Sequence, residues 1–466
     1  MGEQEKPYRE ALRKSKESVL TTEERKILEK PEKERDATEK KRVKGLENSL
    51  RITWEDVAEA VGKNPADHAR REELKRAIHE IEKTRPRPPA SAMALIEPDA
   101  QPPSTRVLKR GDVKNLGARV EPRPPGILLA AMSERSFALT PASKTSGRRA
   151  SLASWLTKPH HPLTARVMVN RLWQHHFGRG IVATPNDFGT RGEPPSNPEL
   201  LDWLATELIR QGWRLKPIHR MIVLSSAYAQ SSRASNPAAA SADPDNILLW
   251  RMNRRRLEAE SLRDAMLAAS GELADRMAGP GVLVPIEKEI EDLIFTEQEE
   301  VDLWPETADP REQSRRSIYL FRKRNVRYAM FDAFDAPDTQ SACPRRESST
   351  HALQALVTLN SAFAQERAAA LAGRALRDSP SDPASCLDRL YRFTLARPPR
   401  PAEVEQAQRF LEEQTKLLGE RAVKQPSSLA TPQPPPPATS MDSARAAAWV
   451  DLALAMLNRN EFLYVP

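Results

Sequence analysis

A chain of 466 residues with 39% hydrophobic side chains can bury at least one sizeable core, which excludes a wholly disordered polymer. Its 72 Lys and Arg against 64 Asp and Glu would suit a polyanion only if the cations clustered. The lysines instead concentrate in the first fifty residues among equally frequent glutamates, no basic-aromatic module appears, and nucleic acid is not the expected partner.

In chain order, residues 1–85 form a charged helical segment, with Leu74, Ile78 and Ile81 at helical spacing. Residues 86–125 read as a proline-rich linker and extended arm, in which "STRVLKRGDVKNLGARV" suggests one or two strands. The main helical domain is expected over 126–466, broken by a proline-rich loop at 425–440. Within it, Pro162 and Gly178 bound an amphipathic helix of about four turns. Ser196 or Asn197 caps the next helix, which carries Leu200, Leu201, Leu204 and Leu208 and ends at Gly212. "LKPIHRMIVLSSAYAQ" continues the pattern to Tyr228, and "RRRLEAESLRDAMLAASGEL" gives a further helix ending near Gly271. Residues 280–315 are irregular and acidic, "RRSIYLFRKR" is the best strand candidate, and a helical tail follows with a corner at Pro398 and Pro399. The fold class is therefore mainly α, a helical globular domain with a minor extended or β element and proline-rich loops.

No stretch reaches the roughly 18 apolar residues of a membrane span. The N-terminus lacks an apolar signal-peptide core, so a chain that truly starts at Met1 is expected in the cytoplasm. Cys343 and Cys386 supply no CxxC pair, zinc ribbon or CxxCH and read as two inert thiols, with a disulfide left open.

The densest group of chemically capable residues is "HPLTARVMVNRLWQHHFGRGIVATPNDFG", residues 161–189. At 100° per residue, Ala165, Met168, Val169, Leu172 and His176 share one face, while Arg166, Asn170 and Gln174 form a row on the other. His176 thus reads as a core histidine, and Arg171 and His175, which flank that face, read as bonding neighbouring loops, with donation to an anion or carbohydrate as the alternative. "GRGIVA" matches a dinucleotide fingerprint only formally, because it leaves a helix rather than a strand; Gly178 and Gly180 read as cap and turn. Asn186 and Asp187 suit an Asx-turn. His160, His161, His175 and Asp187 could in principle ligate a metal, but their spacing supports no site. Ser225 and Ser226 lie inside a helical pattern and make no nucleophile elbow. In "FDAFDAPD", Asp332, Asp335 and Asp338 recur every three residues; ion pairs with Arg327, Arg345 or Arg346 are favoured over acid/base or calcium chemistry.

These segments, with "GEPPSNPELLDWLA", "LQALVTLN", "LARPPRPAEVE" and the closing "LNRNEFLYV", lie in the order found in one family. From about Thr105 onward the chain resembles domain of unknown function 1553, a planctomycete-type, cytochrome-associated domain. Residues 1–85 are similar to the closing helices of its companion, domain of unknown function 1549. The resemblance implies companion and haem-bearing partner domains encoded nearby, haem only in those partners and no cofactor in this chain, and an extracytoplasmic setting. It carries no catalytic residues over. Two functions stay open: a structural or interaction module of an exported assembly with polysaccharide as partner class, or a glycan hydrolase. For the hydrolase the candidate catalytic residues are Asp335, Asp338 and His175, and the candidate binding residues are Arg171, Asn170, Trp173, Arg345 and Arg346.

Overall fold

A computed structural model describes residues 2–31, 34–83, 93–97, 104–132, 139, 145–286, 304–324, 326–378, 380–424, 429–436 and 441–465. Parts of the proline-rich stretches near 86–104 and 425–440, and of the acidic stretch within 280–315, lie outside those residues. The described chain is mainly α, with two small antiparallel sheets. It forms two compact units, one of residues 1–89 with 272–332 and one of residues 90–271 with 333–466.

The first unit holds α1 (Gly2–Ser18), α2 (Thr22–Glu29), α3 (Ala37–Leu50), α4 (Trp54–Gly62) and α5 (Pro65–Lys83). Thr21 and Thr53 start α2 and α4 through capping boxes with Glu24 and Asp56, which satisfy orphan amides at each helix start. Val43, Val57 and Val61 are buried, as is the Glu5–Arg71 ion pair at 3.1 Å. Ile78 and Ile81 stay exposed, so their helical spacing does not mark a core stripe. In the later segment Arg315 is fully buried; it stacks on Tyr319 at 3.8 Å and donates to the carbonyls of Pro280 and Ala278. The strand expected at "RRSIYLFRKR" is not formed. Ser317–Tyr319 is a 3-10 turn, and Leu320 makes a single bridge to Val282. Local β preference there finds no partner long enough for a ladder among the described residues, and Ile318 points to solvent.

The second unit opens with the hairpin β1 (Thr105–Leu108) and β2 (Leu116–Val120). Then come α6 (Arg148–Leu156), α7 (Thr164–Phe177), α8 (Pro198–Arg210) and α9 (Leu215–Val223). Asn197 caps α8 by accepting from Leu200 N at 3.0 Å, with Pro198 in the first turn. Gly178 closes α7 at φ 85°, a left-handed conformation that a side chain would strain. Val169, Leu172 and Phe177 of α7 pack against Leu201, Leu204 and Leu208 of α8 and Ile218 and Ile222 of α9. The helix expected through Tyr228 stops at Val223: the Ser225 hydroxyl donates to Ile222 O at 2.7 Å and accepts from Tyr228 N, and this competes with helix bonding.

After β3 (Arg255–Arg256) comes α10 (Ala259–Ser270), ended by Gly271 at φ 83°. The tail is α11 (Ala352–Asn360), α12 (Ala362–Leu376), α13 (Pro383–Leu395), α14 (Pro401–Lys424) and α15 (Ser443–Leu457). Ser361, Asp382 and Asp442 cap α12, α13 and α15. Buried alanines let α12 and α15 approach closely, among them Ala368, Ala372, Ala375, Ala447 and Ala453. The strand β4 (Tyr464–Val465) returns to pair with β3, Arg255 opposite Val465 and Arg256 opposite Tyr464.

Candidate functional site

Within the second unit, the end of α7, the β3 segment and the loop at 334–350 enclose a cavity of about 590 Å³. Arg171, Gln174 and His175 reach it from the last turns of α7, and Gly178 lies at its edge. Arg254, Arg255 and Arg256 line it from the strand, and Asp335, Cys343, Arg345 and Arg346 from the loop.

Three of the six arginines are structural fasteners. Arg255 donates to the carbonyls of His175 and His176, occupying α7's unsatisfied C-terminal acceptors where the helix dipole favours a cation. Arg256 donates to Asp335 Oδ2 at 2.6 Å and to the carbonyls of Phe334 and Ser349, with its guanidinium over the Phe334 ring. Arg346 pairs with Glu260 at 2.5 Å and Glu258 at 3.3 Å. Gln174 adds a fourth tie through Nε2 to Pro344 O at 3.1 Å. An otherwise irregular loop is thereby sewn to two rigid elements.

The other three are different. Among the described residues, Arg171, Arg254 and Arg345 make no ion pair, and all three are exposed. Arg171 only approaches Asn186 Oδ1 at 3.4 Å. Against six arginines the lining carries three acids, Glu258, Asp335 and Glu347, and the first two are already engaged.

Asp335 sits at φ 58°, an uncommon backbone for an aspartate. Its carboxylate accepts from Ser349 Oγ at 2.6 Å and Ser349 N at 2.9 Å besides Arg256. Burial pushes its pKa up, but the Ser349 and Arg256 donors outweigh that and hold it below the usual aspartate value. It is a firmly ionised latch.

The other sequence candidates divide. Asn170 does not face the cleft or solvent: it is fully buried and clamps Val182, accepting from its N–H at 2.8 Å and donating to its C=O at 3.0 Å. Its place on the polar row is corrected accordingly; a buried peptide group needs a polar partner, and Asn supplies both halves. Trp173 stacks on Phe177 with ring centroids 4.3 Å apart and packs against the core. Asp338 is not among the cavity-lining residues; it accepts from the amides of Gln340 and Ser341, each at 2.7 Å. The expected ion pairs also resolve differently. Asp332 does pair with Arg327, but Asp335 takes Arg256, and Arg346 takes glutamates. Asp187 forms the expected Asx-turn to Gly189 N at 2.8 Å. His161 Nδ1 lies within reach of the amides of Leu163 and Thr164 at the start of α7. Among the described residues no group of three His, Cys, Asp or Glu could hold a metal ion. Both cysteines are free thiols, Cys343 exposed and Cys386 buried.

Sequence reasoning missed the run Arg254–Arg256, placing it at the head of a helix through Leu257; Arg255–Arg256 is instead a strand, and the helix starts at Ala259. Its signal was three consecutive arginines, separated from α10 by Leu257 and Glu258.

His176 is half-buried, with Nε2 2.8 Å from His219 Nδ1 and its ring edge-on to Tyr228. Burial, then repulsion from His219, Arg255 and His175, lowers its pKa below the ordinary 6.5. The unfolded chain then holds the proton more tightly than the folded one. Stability is greatest above about 6.5 and falls as pH drops through that value. Urea midpoints measured from pH 8 to 5 are expected to decline toward acid, and the decline to flatten in His176→Gln. An unchanged slope in that variant would assign the titration to another group.

A model of the family described as protein of unknown function (DUF1553) matches residues 148–411, more than half of the chain and much of the cleft's lining. No curated protein and no solved structure matches the chain.

Proposed function

Because the chain belongs to the DUF1553 family of proteins of unknown function, membership supplies no activity, and we propose from the cleft that it is a non-catalytic interaction module for an oxyanion-bearing ligand. An acidic polysaccharide is the ligand class proposed. The observation that carries this reading is the convergence of Arg171, Arg254 and Arg345 on one cavity with no acidic partner among the described residues. A guanidinium presents a planar fork of donors suited to carboxylate or sulfate oxygens. At about 590 Å³ the cavity has the size of a small-ligand site.

The glycan-hydrolase alternative draws on His175 and Asp335 both lining the cavity. Against it, a general acid needs a carboxyl with a raised pKa, and that of Asp335 is lowered. Asp338 is committed to a turn.

Binding of fluorescent trigalacturonate, followed by anisotropy in 20 mM salt, tests the module reading. The wild-type chain is expected to bind it in preference to neutral cellotriose. Arg171→Ala with Arg345→Ala should weaken binding about a hundredfold, each charged hydrogen bond contributing roughly 1.5 kcal/mol. Equal affinity for the neutral sugar, or undiminished binding by the double variant, would refute the reading. Hydrolysis of either sugar that disappears in Asp335→Asn would restore the enzyme.

A further inference from the structure

Among the described residues the hairpin β1–β2 has no packed side. Eight of its nine strand residues are exposed, and the remaining one is Gly117. Val107 and Leu108 on β1, and Leu116 and Val120 on β2, all show large apolar side chains to solvent, as does Val113 in the connecting loop at 72% exposure. A two-stranded hairpin is marginal by itself, and stable ones bury a face against a third element.

The register makes the exposure chemically specific. Arg106 stands directly opposite Arg119, so two like charges share one face of the ribbon, with Glu121 beside Arg119 as the one carboxylate paired there among the described residues. Thr105 stands opposite Val120 on the other face, and Val107 follows on that side along β1, where the ladder shifts register between Arg106 and Leu108. Between residues 105 and 123 there are six basic side chains against two acidic ones. Among the described residues, Arg119 pairs with Glu121 at 3.1 Å and Arg106 donates to Gly117 O at 3.2 Å, while Lys109, Arg110 and Lys114 pair with no acid. Each strand also pairs only with the other, so each keeps a free edge of backbone donors and acceptors among the described residues.

We infer that the β1–β2 hairpin is a docking ribbon for an extended, acidic segment of a partner protein, which adds as a third strand. An extended peptide satisfies the free edge through its main chain, and alternate side chains fall on alternate faces. Acidic residues at every second position would meet Arg106 and Arg119, and apolar ones would cover Val107 and Val120. Backbone pairing distinguishes this occupant from an anionic lipid surface, which has no main chain to offer an edge. The inference does not depend on the cleft.

The test uses the full chain and a fluorescein-labelled peptide of alternating Glu and Val, with a Lys-Val peptide and phosphatidylglycerol vesicles as comparisons. Saturable binding of the Glu-Val peptide alone is expected, weakening as salt rises. Reversing both charges, Arg106→Glu with Arg119→Glu, should lower affinity at least about tenfold. Because that variant could lose the hairpin itself, amide exchange is read in parallel on the unmodified protein. Peptide addition should slow exchange at residues 105–108 or 116–120. Failure to bind, vesicle binding without peptide binding, or binding with no slowing at those amides would each overturn the assignment. Peptide binding abolished by Arg171→Ala with Arg345→Ala but indifferent to the hairpin reversal would also overturn it, placing the peptide in the cleft.

Discussion

Asn170→Leu is expected to cost about 2–4 kcal/mol of folding stability, although leucine nearly preserves the side-chain volume. The wild-type amide satisfies both the N–H and the C=O of Val182, and it is fully buried. Leucine leaves two buried peptide groups without partners, each costing roughly 1–3 kcal/mol. The effect should be local in origin and global in consequence, because Val182 and Ile181 are themselves buried in the core shared by α7, α8 and α9. Gly180→Ala provides an independent check: an added Cβ would lie 2.6 Å from Val182 O and 2.7 Å from Asn170 Nδ2. Urea unfolding of both variants, monitored by tryptophan fluorescence, measures the loss. A change below about 0.5 kcal/mol in Asn170→Leu would mean that water can reach the Val182 peptide, contrary to its burial.

The second large effect is expected at the corner between α13 and α14. Arg397 grips two carboxylates at once, Glu403 at 2.8 Å and Glu461 at 2.6 Å, and Glu403 also takes Arg459 at 2.9 Å and the Arg400 amide. This arrangement joins the "LARPPRPAEVE" turn to the last helical turn of the chain, Asn460–Leu463. Arg397→Met leaves two partly buried carboxylates facing each other with one cation fewer, and a loss of about 3 kcal/mol is expected. Glu403 also predicts an acid dependence. The Arg397 hydrogen bonds, foremost among its partners, lower its pKa from 4.5 to about 2. A depressed carboxylate favours the folded state above its unfolded pKa, and that contribution is lost as pH falls from about 4.5 to about 2. Denaturant unfolding at pH 7 and pH 3 should therefore separate wild type from Glu403→Gln most at neutral pH and narrow the gap at pH 3, partway through that window. A gap of undiminished size at pH 3 would show that Glu403 matters through packing alone.

What could be read from the sequence follows from the range of the forces involved. Helix limits set by neighbours were visible: Gly178 after α7, Gly271 after α10, and Asn197 with Pro198 at the start of α8 each act within one turn of the backbone. Asn170 was misplaced because residue type alone sends a polar side chain outward, while its partner lies twelve residues on in a loop of no periodicity. Of the cleft, Arg171, His175, Asp335, Arg345 and Arg346 were nominated from sequence, and all line it. Their division into free and fastened groups was not visible. Arg256 meets Asp335 across 79 positions, and no local pattern encodes that meeting. The missing strand at Ile318 has the same origin, since β preference is realised only when a second strand comes alongside.

The pairing of β3 with β4 gives the cleft a timetable. Arg256 faces Tyr464 in the ladder, the Leu257 amide donates to Leu463 O at 2.8 Å, and Tyr464 is part of the cavity wall. During synthesis the arginine strand emerges about two hundred residues before the pair that completes it, so a wide loop must close before this short ladder can form. A ribosome-bound chain halted short of Leu463 would have α7 through α9 available to fold, yet its arginine strand would still lack the rung that finishes the cavity.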